Sequence, residues 1–144
     1  MGVVTTDART PIILEIVVPV PATDAWEALT DPTRVAEWFT DVTPLGAVGD
    51  VYRLDFGDGS VVEGVVREVE AGRRFAHTWA WVDAEPHQET LVTWTVEPLA
   101  SDSSRITLVH DGWAAAGANE TARDDHEVYW SGYLDDLAAI LAES

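Results

Sequence analysis

Between residues 51 and 113 large apolar side chains recur at every second position in five successive runs, and the breaks between runs are short. Tyr52, Leu54 and Phe56 alternate first, and a Val-rich run continues to about residue 70 after the turn "GDG" at 57–59. "RFAHTWAWVD" (74–83) then places Phe75, His77, Trp79 and Trp81 in step. Val92, Trp94 and Val96 follow, and Ile106, Leu108 and His110 close the series. A period of two is the signature of a strand with one buried face. Parallel neighbours need crossovers of a dozen or more residues, longer than any break here, so the runs are expected to form an antiparallel meander. Such a sheet has one apolar side, and something must cover it.

The flanking segments supply the rest of the fold. "PIILEIVVPV" (11–20) reads as a further strand closed by prolines. "ATDAWEALTDP" follows as a short helix with Thr23 or Asp24 as N-cap, and "DPTRVAEWF" (31–39) restarts as a second with Pro at its first position. From about Glu120 to Ala142, His126, Trp130, Tyr133, Leu134, Leu137 and Leu141 recur at spacings of three and four, with Arg123 near the same stripe. That helix alone is long enough to cover the sheet. The expectation is an α+β domain spanning 1–144: a curved six-stranded antiparallel sheet wrapped round a long C-terminal helix, two short helices after the first strand, and a flexible arm at 1–10.

Composition narrows the function. Acidic residues outnumber basic ones 26 to 8, for a net charge of −18, and every basic residue is Arg. A surface of that sign repels phosphate backbones and anionic lipid, so neither nucleic acid nor membrane is an expected partner. The charge reads as a solubility or high-salt adaptation; steering of a cationic ligand or a basic partner is the other reading, and the acids form no run of five to localise it. Without cysteine, disulfides, thiolate metal sites and thiol catalysis are excluded. The N-terminal stretch has no basic n-region and is broken by Asp7, Arg9, Glu15 and two prolines, so cytoplasm is the expected location.

"VPVPATDAWEALTDPTRVAEWF", "GDVYRLDFGDGSVVEGVVREVEAGRRFAHTWAW", "ETLVTWTVEP", "ITLVHDGW" and "YWSGYLDDLAAIL" together resemble the activator of heat-shock protein 90 ATPase homologue family. That family belongs to the START/pollen-allergen-like superfamily, also labelled SRPBCC. The resemblance runs from about residue 12 to the end. It implies the helix-grip fold and a deep cavity between sheet and helix, used across the superfamily for lipids, hormones, polyketides and other apolar small molecules. Some members are cyclases or hydrolases. The family name derives from co-chaperones in which this domain follows a chaperone-binding one, for which these 144 residues are expected to leave no room.

Few residues suggest catalysis. His110 and Asp111 are adjacent on a strand and point to opposite faces, and His126 and Glu127 diverge on a helix. No HExxH, no i,i+4 histidine pair and no GxSxG is present, so neither a metal nor another cofactor is expected. "GDG" fits turn chemistry better than phosphate binding. His77, His110 and His126 are each placed to face inward, either as buried histidines with backbone partners or as a cluster acting with Glu63 or Asp55. His87, in a polar loop, is expected to be solvated.

The leading expectation is a binding module for an apolar or aromatic small molecule, as monomer or homodimer. Its wall is Phe75, His77, Trp79, Trp94, His110, Trp113, His126, Trp130, Tyr133, Leu134 and Leu137, with Trp38 and Phe39 as entrance guards or structural anchors and Trp81 at the rim. A packed core is the competing reading of the same aromatics. A cyclase- or hydrolase-like enzyme and a chaperone partner are the alternatives.

Overall fold

The computed structural model describes residues 11–83, 89–113 and 120–143. The expected N-terminal arm at 1–10 and the loop histidine His87 lie outside them. In chain order the elements are β1 (Ile12–Val18), α1 (Ala22–Thr30), α2 (Pro32–Trp38), β2 (Asp41–Val42), β3 (Val51–Asp55), β4 (Val61–Glu70), β5 (Arg74–Trp81), β6 (Thr90–Ala100), β7 (Ser103–Asp111) and α3 (Glu120–Ala142). The sheet is antiparallel throughout, in the order β1-β7-β6-β5-β4-β3-β2.

Seven strands stand where alternation suggested six. The addition is β2, whose two residues pair Asp41 with Asp55 and Val42 with Leu54. Two residues show no period, so sequence pattern cannot reveal them. β1 leaves the meander order and pairs with β7, setting Ile12 opposite His110 and Val18 opposite Ser104. β1 and β2 are therefore the two edges.

The helix starts divide between expectation and correction. Pro32 stands in the first turn of α2 as expected, and Asp31 caps the helix, its carboxylate accepting the Thr33 N–H at 3.0 Å. For α1 the cap is Pro21, not Thr23 or Asp24. Its extended backbone (ψ 157°) aims its carbonyl at the N–H groups of Asp24 and Ala25, at 3.0 and 3.1 Å. Thr23 and Asp24 are thereby drawn inside the first turn.

Register lines up the inner face in rows. Phe75 lies opposite Trp94, and Trp94 opposite Leu108; His77 lies opposite Val92, Val92 opposite His110, and His110 opposite Ile12. Every one of these side chains is buried. The α3 stripe of Trp130, Leu134, Leu137 and Leu141 belongs to the same buried core. Each such side chain removed from water contributes about 1.5–3 kcal/mol, so the stripe holds the helix against the sheet. The fold is the expected α+β helix grip.

Candidate functional site

Where α2 ends, its last two aromatics part company. Trp38 turns into the core, its indole N–H donating to the Ala28 carbonyl at 2.8 Å and so tying α2 to α1. Phe39, stacked on Trp38 at 5.2 Å, faces the other way, towards α3. There it begins a closed circuit of rings. Phe39 meets Phe56 at 5.6 Å, Phe56 meets Trp81 at 5.4 Å, and Trp81 meets Trp79 at 5.8 Å. Trp79 meets Trp130 at 5.2 Å, and Trp130 returns to Phe39 at 5.2 Å. Tyr133 leans on Phe39 at 4.7 Å.

All six rings line one cleft of about 380 Å³, open to solvent on one side, together with His126, Tyr129, Asp58 and Ser60. The volume falls at the low end of small-molecule sites. Asp58 and Ser60 come from the "GDG" hairpin, where Gly57 and Gly59 take positive φ of 85° and 93°. The Asp58 carboxylate accepts the Ser60 N–H at 2.9 Å, and the Ser60 backbone and hydroxyl hold its carboxyl below the usual range. This loop is a turn, as its composition suggests, and it also places a fixed negative charge at the cleft mouth.

Two histidines, His126 in the cleft wall and His110 behind it, are held by tryptophans. Trp81 donates its indole N–H to His126 Nε2 at 3.0 Å, while His126 Nδ1 lies 2.6 Å from the Ala122 carbonyl. An indole only donates and a carbonyl only accepts, so the proton of neutral His126 sits on Nδ1. Trp130 likewise donates to His110 Nδ1 at 2.9 Å, leaving the proton on Nε2, which faces the Thr90 hydroxyl at 2.6 Å. Thr90 passes its own hydrogen to the Trp79 carbonyl at 3.2 Å. Trp113 donates to the His110 carbonyl at 2.9 Å and packs its ring 4.3 Å from the imidazole.

Burial sets the charge of these groups. It pushes His77 down to about 4, against the Thr78 carbonyl that accepts from Nδ1 at 2.9 Å. Burial also lowers His110 well below its ordinary value, and the neighbouring His126 and His77 add to it. His126 is lowered by burial too, opposed by the Ala122 carbonyl and the Asp125 charge. All three are neutral at pH 7, and none forms an ion pair or hydrogen bond with a carboxylate among the described residues.

The side chains singled out from sequence separate into three groups. Phe39, Trp79, Trp81, His126, Trp130 and Tyr133 meet at the cleft. Trp38, His77 and Trp94, again with Phe39, line a void of about 10 Å³ between α1, α2 and the sheet, room for no more than a water. Phe75, His110, Trp113, Leu134 and Leu137 line neither space and are packed in the core, Phe75 against Trp26 at 5.6 Å. Among the described residues the space between sheet and α3 is the open cleft of about 380 Å³, and Trp94, Leu134 and Leu137 belong to the packed core. Phe56, Asp58, Ser60 and Tyr129 were not singled out. Phe56 continues the alternation of Tyr52 and Leu54, a signal for the sheet face that does not tell wall from core. Glu63 and Asp55 lie on the surface, Glu63 paired with Arg53 at 3.0 Å and Asp55 accepting the Gly57 N–H at 2.9 Å. No cluster with metal-ligand geometry occurs among the described residues. No described helix is long and apolar enough to cross a membrane.

Comparison with known proteins agrees with the architecture. No curated protein matches the chain. Among solved structures, DynU16, a protein in the dynemicin biosynthetic locus, is 27% identical with a TM-score of 0.79 over 91% of this chain. This chain covers 46% of DynU16, less than half its length. MLL2253 from Mesorhizobium loti is 21% identical with a TM-score of 0.83, over 94% of this chain and 98% of its own. The Aha1 dimer from Colwellia psychrerythraea is 18% identical with a TM-score of 0.75, over 92% and 96%. At these identities the last two show the fold alone. The family model "Activator of Hsp90 ATPase homolog 1-like protein" matches residues 19–142. The chain belongs to that family, of the START-like SRPBCC superfamily.

Proposed function

We propose that this chain binds a small apolar or aromatic molecule in the cleft between the β4–β5 end of the sheet and α3. The observation that carries this reading is the closed circuit of aromatic rings around an open space. Core aromatics pack against one another without leaving volume, whereas these leave about 380 Å³.

Histidine catalysis draws no support from the geometry, because His110 and His126 each have both ring nitrogens engaged. Family membership favours one further reading, docking on a chaperone; exposed Ile13 and Val17 on β1 flank Glu15 on the outer face. An unchanged rate of chaperone ATP hydrolysis would remove that reading.

The binding reading is tested with N-phenyl-1-naphthylamine, a neutral probe that brightens in apolar surroundings. Its emission should rise and saturate with the parent protein. Trp81→Ala should weaken binding by roughly tenfold or more, as expected for a central aromatic. Equal affinity for parent and variant would place the probe elsewhere and defeat the assignment.

A further inference from the structure

We propose that the natural occupant of the cleft carries a positively charged amine or quaternary ammonium group, seated among the half-buried rings of Phe39, Phe56, Trp81 and Tyr133 with Asp58 at its edge. The inference rests on the reading of the cleft as a small-molecule site and specifies the ligand class.

Ring orientation is the first ground. Among the half-buried rings Phe39 and Phe56 cross at 71°, Phe39 and Tyr133 at 66°, and Phe56 and Trp81 at 36°. Rings set at such angles wall a compact, rounded group on several sides. The negative faces of aromatic rings attract a cation within about 6 Å, most strongly those of Trp, and Trp81 is the half-buried tryptophan among them.

Charge is the second ground, and it is independent of shape. The ionisable groups lining the cleft are Asp58, Tyr129, Tyr133 and a neutral His126; among the described residues no Arg lines it. The mouth continues past Tyr129 and Tyr133 onto Asp135 and Asp136 of α3. Burial, then Asp136 and Asp58, raise the Tyr133 hydroxyl above its ordinary range, which places both carboxylates within electrostatic reach of the cleft. An anionic ligand meets repulsion here and from a chain of net charge −18; a cation is attracted at both ranges. A neutral ligand would use neither the rim nor the field.

Three probes of one shape separate the cases: benzyltrimethylammonium, its uncharged carbon analogue neopentylbenzene, and phenylmethanesulfonate. Tryptophan emission reports their binding to the parent, to Trp81→Ala and to Asp58→Asn/Asp136→Asn. The cation should bind about tenfold more tightly than neopentylbenzene, and the sulfonate more weakly than either. Trp81→Ala should abolish the preference. The double carboxylate variant should weaken the cation about fivefold and leave neopentylbenzene unchanged. Neopentylbenzene binding as tightly as the cation, and lost in Trp81→Ala, would overturn the charge assignment while keeping the cleft as a binding site. Cation binding indifferent to both variants would mean attachment elsewhere on the acidic surface and would overturn it too. Failure of all three probes would remove the binding reading and the inference with it.

Discussion

Gly64→Ala is expected to destabilise the protein by about 3 kcal/mol, the upper end of what overpacking costs and a large part of the 5–15 kcal/mol that holds a domain of this size together. A Cβ at Gly64 would lie 1.8 Å from the Thr78 carbonyl oxygen and 2.6 Å from its carbon. That neighbour is backbone, so no rotamer change relieves the contact and β4 must move off β5. The same carbonyl accepts the His77 Nδ1 hydrogen at 2.9 Å, and the Thr78 hydroxyl takes the Val65 N–H at 2.8 Å. Displacing Thr78 therefore disturbs a buried histidine as well as the strand pair. Gly132, within α3, provides the contrast. Nothing lies within 4 Å of its would-be Cβ, and Gly132→Ala should stabilise by about 0.5–1 kcal/mol through helix propensity alone. Urea midpoints of the two variants should shift in opposite directions. An unchanged midpoint for Gly64→Ala would show that the close approach of β4 and β5 is wrong.

Acid should weaken the fold before its carboxylates titrate. His77 ionises near 6.5 when unfolded and at about 4 in the fold. Between those values the unfolded chain binds the proton and the folded one does not, so stability falls as pH falls. The contribution is complete above pH 6.5 and declines through the folded value. For His77 alone the full loss is about 3 kcal/mol, taking 1.36 kcal/mol per pH unit. His110 and His126 are lowered by burial as well and act in the same direction. Carboxylates titrate mostly below pH 5, so the interval from 6.5 to 5 isolates the histidines. Urea denaturation across it should show stability falling steadily, with a shallower slope in His77→Phe. That variant also leaves the Thr78 carbonyl without its donor, but the lost bond lowers stability at every pH and does not alter the slope. A flat profile in the parent would contradict the burial of neutral imidazoles.

How much of this was readable beforehand depends on whether the information is local. Alternation at Phe75, His77 and Trp79 and at Val92, Trp94 and Val96 assigned strands and inner faces, because a period of two is written in the chain itself. The α3 stripe was equally plain at Trp130, Leu134, Leu137 and Leu141. What separated cleft from core was not. Trp81 meets a histidine 45 positions away, and Trp130 one 20 positions away. No local pattern encodes either pair, nor the folding of the "GDG" hairpin towards α3. A lone Gly inside a strand signals close backbone approach, and Gly64 carries that signal, but the atom it admits is known only from the sheet register.

The central claim, that the aromatic cleft takes up a small molecule, is tested most directly by following indole N–H resonances in a 15N-labelled sample. The seven tryptophans give seven reporters, and each can be assigned by single replacement with Phe. On titration with N-phenyl-1-naphthylamine, the signals of Trp79, Trp81 and Trp130 should shift together and saturate at one equivalent. Those of Trp26, packed on Phe75, and of Trp113, bonded to the His110 carbonyl, should hold their positions. Static cleft signals, or movement confined to Trp26 and Trp113, would contradict the account.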